Sequence, residues 1–168
     1  NSPVRNYPYY MNFAGERLLI TGGGHIANRL DRPGTIMTFE NNTWNSFQEE
    51  GISEQTKHRY DDINCIVQDP KDVTHHFAAS AGEGIYEFKD GKFINWYSMH
   101  NSPLESAVPN EPWADSYVRV NGLIYDKENN LWMVSCETQH AVSVLMKNGD
   151  WASLHYPEIV KASNFGRT

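Results

Sequence analysis

The residues of this chain that could do chemistry fall into a few groups, and each asks for a particular geometry. Gly22-Gly23-Gly24-His25 offers backbone amides that could close on an anion. A phosphate loop also needs a lysine and a following helix. Neither follows, so the run reads as a strand end where two backbones approach closely. His75-His76 offers imidazoles, but neighbours on a strand point to opposite faces and cannot grip one ion together. Asp126, Glu128 and Asn130 have the alternating oxygens of a calcium loop, yet Leu131 stands at the glycine position and Gln139 and His140 near that of the closing acid. They read as a solvated hairpin turn. Asp61, Asp62 and Asp115 could serve glycoside hydrolysis as acid and base if two of them faced each other with separated pKa values. As strand neighbours, Asp61 and Asp62 would point apart. No G-x-S-x-G elbow and no H-E-x-x-H helix occurs. The expectation is no catalytic residue, no metal site and no cofactor.

Aromatic and charged residues offer binding chemistry instead. Trp44, Trp132 and Trp151 recur at strand positions and read as packing between sheets, whereas Trp113, Tyr60 and Tyr117 lie in long connections, where aromatic rings can stack on sugars or partner side chains. A net charge of −7 over 168 residues excludes the clustered basic surface that nucleic acid requires. No apolar run reaches the roughly 18 residues of a membrane span. Cys65 and Cys136 are the only cysteines, too few for a metal pattern and uninformative about redox compartment. The chain opens at Asn1 without Met and reads as an internal or processed piece of a longer precursor.

The elements that must position these groups repeat. Phe39-Glu40-Asn41-Asn42-Thr43-Trp44, Phe88-Lys89-Asp90-Gly91-Lys92-Phe93 and Met146-Lys147-Asn148-Gly149-Asp150-Trp151 each run from an apolar residue through a tight turn to an aromatic. Asn41-Asn42, Asp90-Gly91 and Asn148-Gly149 suit the positive φ angles of two-residue hairpin turns. A second hairpin precedes each of these, turning at Ala14-Gly15-Glu16, at Asp69 to Asp72 and at Asp126 to Asn130. Only Ser53 to Arg59 could hold a helical turn. The spacing predicts an all-β fold of about three four-stranded antiparallel blades, a β-propeller fragment. Its blades cover about 7–50, 60–100 and 115–156, and 157–168 is a connector.

Tyr117 to Asp126 followed by Asn130-Leu131-Trp132-Met133-Val134 resembles the two-component regulator propeller repeat, with Asn129 where that repeat has glycine. Ile63 to Asp69 and Gly82 to Phe88 are similar, although His75-His76-Phe77 replaces the leucine-tryptophan pair. Leu18 to Gly24, with Phe39 and Trp44, looks like a kelch repeat. Asn28 to Thr35 resembles large Bacteroidetes propeller proteins, including accessory propellers of the type IX secretion system. The resemblance implies a periplasmic or cell-surface module, associated with the outer membrane, that senses or binds glycans or assembles with other proteins.

In such a strand order, loops entering each inner strand share one end with loops joining the second and third strands. That end would gather Arg59, Tyr60, Asp61 and Asp62, then Trp113, Asp115 and Tyr117, with His25, Arg29, Arg32, Glu83, Glu137 and His140 from the other loops. The expected ligand-binding set is Arg29, Arg59, Tyr60, Asp61, Trp113, Asp115, Tyr117 and His140. The function expected is a noncatalytic sensor or assembly module binding a glycan or protein, its blades completed by other blades or a second copy of the chain. The alternative is a glycan-active hydrolase or lyase using the carboxylates of this end.

Overall fold

The computed structural model describes residues 2–24 and 30–155. Arg29, His25 and the expected connector lie outside them. Twelve strands form three four-stranded antiparallel sheets, each a simple meander. Blade 1 holds β1 (Tyr10–Ala14), β2 (Arg17–Thr21), β3 (Ile36–Glu40) and β4 (Thr43–Ser46). Blade 2 holds β5 (Ile63–Asp69), β6 (Asp72–Ser80), β7 (Ile85–Lys89) and β8 (Lys92–Tyr97). Blade 3 holds β9 (Val120–Tyr125), β10 (Leu131–Ser135), β11 (Val142–Leu145) and β12 (Trp151–Leu154). A single helical turn, α1 (Ile52–Thr56), sits within the stretch between blades 1 and 2 and buries Ile52. The all-β arc of three blades is therefore as the repeat spacing predicts.

Turn chemistry fixes most of the registers. Asn41 and Asn42 take φ of 50° and 58°, and Asp90 and Gly91 take 52° and 71°, so both are two-residue turns with left-handed centres. The third outer turn differs from the expected one. Only Gly149 is left-handed, at φ 90°, and the loop widens so that Leu145 pairs with Trp151. Asn148 instead folds its side chain onto Asp150, accepting from the Asp150 amide at 3.1 Å, which draws extra residues into the loop.

Two apolar layers join the blades. Leu19 and Ile36 of blade 1 pack on Ile66, Ala78, Tyr86 and Phe88 of blade 2. On the other face of blade 2, Cys65, Phe77, Ala79 and Ile85 pack on Val120, Leu131 and Met133 of blade 3. Strand alternation makes this possible, since Ala78 and Ala79, or Ile85 and Tyr86, face opposite neighbours. The first aromatic residue after each outer turn faces backward along the chain. Phe93 joins the layer shared with blade 1, and Trp151 meets Tyr97 of blade 2 at 5.4 Å. Trp44 takes the same position in blade 1 and touches Phe39 at 4.9 Å, with no blade described before it. Trp132 lies on the forward face of blade 3, in the row of Ile124 and Val144. Of the three recurring tryptophans, Trp151 alone packs between described blades.

Candidate functional site

Gly23 shows why loops crowd at one end of the sheets. Its amide donates to the Ile63 carbonyl at 2.8 Å, and a Cβ there would come within 2.3–2.4 Å of the Asp62–Ile63 backbone. Blade 1 thus presses its β2–β3 loop directly onto the entrance of β5, and only glycine fits. Asp62, fully buried, completes the seam, since its two carboxylate oxygens accept from the amides of Asp31 and Arg32 at 2.9 and 3.1 Å. The Arg59 guanidinium, half exposed, spans Asp31 at 2.7 Å and buried Asp61 at 2.6 Å. Carboxylate oxygens of Asp31, Asp61 and Asp62 all lie within 4.8 Å of one another. Arg59 and the two amides engage oxygens of all three carboxylates and tie the cluster into the seam.

Tyr60 corrects an expectation. It is 7% exposed and stands in the layer between blades 1 and 2, edge-on to Tyr86 at 4.9 Å. Its amide donates to Ser53 Oγ and its carbonyl accepts from Gly34, whose missing side chain leaves room for the ring. Burial pushes its phenol pKa far up. Tyr60 is a core residue and not the exposed ring of a long connection that the sequence suggests. Asp61 is also buried, and its carboxylate pairs with the half-exposed Arg59 guanidinium. Glu83 is buried as well, with His58 Nδ1 at 3.3 Å from its carboxylate and Trp96 donating to its carbonyl.

A second cluster lies along the seam between blades 2 and 3, at the same end. Trp113 is 53% exposed, just before the 3-10 turn of Ala114–Tyr117. Asp115 pairs with His100 at 2.8 Å in the open. The Arg119 guanidinium lies over the Tyr117 ring at 4.8 Å and reaches Glu137 at 3.0 Å. His140 meets Glu105 at 2.5 Å, and Glu105 also accepts from the amides of Gln139 and His140. Burial raises the Glu105 carboxyl, but these bonds outweigh it and the net direction is down. The structure thus puts Arg59 at one seam and Trp113, Asp115, Tyr117 and His140 at the next. His58, Glu105 and Arg119 join them. Sequence reasoning passed over these three because none stands in a recognisable pattern; only their partners, 25, 35 and 18 residues away, reveal them.

For acid and base catalysis, one carboxyl in a facing pair must be held protonated near neutrality. Four carboxylates, Asp72, Glu87, Glu105 and Asp126, are held below their ordinary pKa by the hydrogen bonds they accept. The arrangement suits recognition of polar groups, by exposed aromatic, guanidinium and imidazole side chains on a rigid base.

No family model and no curated protein matches the chain. Solved structures do. One is PorZ, described as an essential bacterial surface component of the type IX secretion system of Porphyromonas gingivalis, with TM-score 0.83 and 26% identity over 95% of this chain and 21% of that one. Another is the extracellular domain of a putative one-component system from B. thetaiotaomicron, with TM-score 0.62 and 13% identity over 94% of this chain and 19% of that one. These neighbours match the likeness that the repeats and the Asn28 to Thr35 stretch suggest. The second, at its low identity, speaks for the fold alone. The chain spans about a fifth of the length of each of these two structures. No helix among the described residues is long and apolar enough to cross a membrane.

Proposed function

We propose that this chain is a noncatalytic arc of a larger extracytoplasmic propeller, a scaffold whose loop end recognises a protein or glycan partner at the cell surface or in the periplasm. The observation that carries the reading is the state of the two outermost sheet faces. On blade 1, Phe13, Leu18, Phe39 and Trp44 form one outward cross-strand row; in the next, Met11 is exposed, whereas Ile20 and Met37 are already buried and line a pocket with residues 3–8. On blade 3, the outward rows are Ile124, Trp132, Val144 and Ala152, then Gly122, Val134, Val142 and Leu154. These faces have the apolar make-up of the layers that join the described blades, and repeat architectures bury such faces against further repeats. The surface location of PorZ, and the far greater length of both structural neighbours, support the placement.

Recognition then belongs to the exposed part of the loop end, from Arg59 to Trp113, Asp115, Tyr117 and His140. Site-specific photocrosslinking in a cell-envelope fraction tests this, with the photoreactive residue placed at Trp113 or, as control, at Ile94 on the outer strand β8. A defined adduct from position 113 and none from 94 is expected. Equal labelling at both, with no glycan retained by the wild-type protein, would overturn the placement.

A further inference from the structure

At the opposite end of the sheets, the hairpins of blades 2 and 3 enclose a cavity of about 230 Å³. Neither the loop end nor the scaffold role uses it. Blade 2 contributes His75, Phe77, Glu87 and Tyr97, which share its forward face. Asp69 closes one side from the β5–β6 turn, and Asn129 comes from the β9–β10 turn of blade 3.

The polar groups of this cavity are unbalanced. Two of its donors are spent within it, with His75 Nε2 at 2.6 Å from Glu87 Oε1 and the Tyr97 hydroxyl donating to Glu87 Oε2 at 2.9 Å. Asn129 donates a long 3.4 Å bond to Asp69 Oδ2, which fixes the sense of its amide, because the reverse would set two acceptors against each other. Its Oδ1 atom is then buried and receives no hydrogen bond from the described residues. Asp69 Oδ2 has only that long bond and His75 Nδ1 at 3.5 Å. Lys147 lines the cavity but pairs with neither carboxylate among the described residues. Against the one ammonium of Lys147 stand the carboxylates of Asp69 and Glu87 and the Asn129 Oδ1 atom, a surplus of acceptors and, once His75 is neutral, of negative charge. The rings of Tyr97, Tyr125 and Phe77, with Leu131 and Leu145, make the remaining wall, which suits a cation on a short apolar stem.

We propose that this cavity binds an alkylammonium or guanidinium group, such as the end of a lysine or arginine side chain, with Glu87, Asp69 and Asn129 Oδ1 as its acceptors. The inference stands apart from the scaffold reading. His75 competes for the same oxygens while it is protonated. The Glu87 hydrogen bond, opposed by burial and helped by Asp69, holds its pKa above the ordinary value. The other charged or titratable groups facing the cavity are Tyr97 from β8, Tyr125 from β9 and Lys147 from the β11–β12 turn. Raising the pH through the His75 titration therefore removes a competitor and strengthens binding.

Titration calorimetry of the full chain with N-acetyl-lysine methylamide, butylamine and methyl glucoside tests this. Saturable binding of the amines is expected, about tenfold tighter near pH 8.5 than near pH 6. Capped lysine binding better than butylamine points to a side chain presented by a polypeptide, and equal binding to a free amine. Asn129→Gly keeps the left-handed turn, at φ 69°, while removing one acceptor, and should weaken binding about tenfold without unfolding the hairpin. Glu87→Gln should weaken it further. Absent amine binding near pH 8.5, affinity untouched by both substitutions, or methyl glucoside binding as tightly as the amines would each overturn the proposal.

Discussion

The indole Nε1 of Trp132 donates a 2.7 Å hydrogen bond to Oδ2 of Asp126, six residues earlier across the β9–β10 hairpin. The same carboxylate accepts from the amide and the side chain of Asn130, at 2.8 and 2.9 Å. One acid thus ties the turn to the strand that leaves it, and Asn129 supplies the left-handed residue between them. This is the physical content of the repeat resemblance. Of the alternating oxygens that imitate a calcium loop, those of Asp126 are engaged inside the hairpin, and Asn130 Oδ1 accepts from the Lys147 amide of the β11–β12 turn.

Asp126→Ala is expected to lower the melting temperature and to shift the fluorescence of Trp132. Hydrogen bonds from Trp132 and Asn130 hold the Asp126 carboxyl down at about 2, against 3.8 ordinarily. A lowered folded-state pKa gives stability that is complete above the unfolded value and fades as pH falls through the folded one. Wild type and variant should therefore differ at neutral pH and converge toward pH 2. Melting curves that stay apart by the same interval at pH 7 and near pH 2 would contradict this account.

Gly84→Ala is expected to cost more than Gly149→Ala. Both glycines are left-handed, with φ of 79° and 90°, but a Cβ at Gly84 would lie 2.2 Å from the Tyr97 carbonyl oxygen, whereas nothing lies within 4 Å at Gly149. Gly149→Ala should cost about 1 kcal/mol through φ alone, and Gly84→Ala upwards of about 3 kcal/mol because strand β8 must also move. Urea denaturation of both variants checks the order, and equal midpoints would refute it.

Tyr60→Ala and Trp113→Ala should part sharply, although the sequence put both residues in one class. Truncating buried Tyr60 opens a cavity between blades 1 and 2 and should cost about 3–5 kcal/mol. Trp113→Ala and Asp115→Asn should stay within about 0.5 kcal/mol of wild type, and any partner found at this end should bind one of them more weakly. Thermal melts of the three variants decide. A mild Tyr60→Ala would mean that the seam is looser than its packing shows.

These contrasts show what was legible beforehand. Asn41-Asn42 and Asp90-Gly91 announce their turns because positive φ at two consecutive residues is a local demand that few residues meet. Asn148-Gly149 misleads because the preference of Asn148 for its own Asp150 is equally local and leads to a wider loop. Tyr60 misleads for a different reason. Its place in a long connection is visible, but the pull of that connection into the core depends on Gly34 and Ser53, which only folding brings near. The cavity of Asp69, His75 and Glu87 lies furthest from sequence. His75 and Glu87 meet diagonally across two strands, and Asn129 arrives from the next blade.

His76 should make the protein acid-sensitive. It is 2% exposed, edge-on to Phe47 at 4.9 Å, and burial pushes its pKa down to about 4 from 6.5. A histidine with a lowered folded-state pKa is stabilised as the neutral ring, so its contribution is complete above 6.5 and is lost as pH falls toward 4. The loss amounts to about 3 kcal/mol over that interval. His76→Met, of similar bulk and without a titrating group, should flatten the dependence between pH 7 and pH 4. Urea midpoints for both proteins across that range check it, and parallel slopes would assign the acid sensitivity elsewhere.

The outward faces lead to the last prediction. Phe13 and Ile124 are each 67% exposed, and Met11 is 70% exposed, on strands whose other face is packed. The backward face of blade 1 and the forward face of blade 3 are unlike surfaces, so two copies joining them would form a head-to-tail contact rather than a symmetric one. Such contacts either close into a ring or run on. The 168-residue chain should therefore self-associate with rising concentration through the exposed side chains of Met11 and Phe13 on one face and Ile124 and Val134 on the other. Phe13→Lys and Ile124→Lys remove opposite halves of that contact. Either alone should reduce association in light scattering, because a head-to-tail joint needs both faces, while a mixture of the two single variants should still form one intact joint and stop at a dimer. Dimers in the mixture and monomers in each variant alone would establish the two faces as complementary seats. A wild-type chain that stays monomeric at all concentrations, with no binding of a hydrophobic dye, would show that these faces are not interfaces.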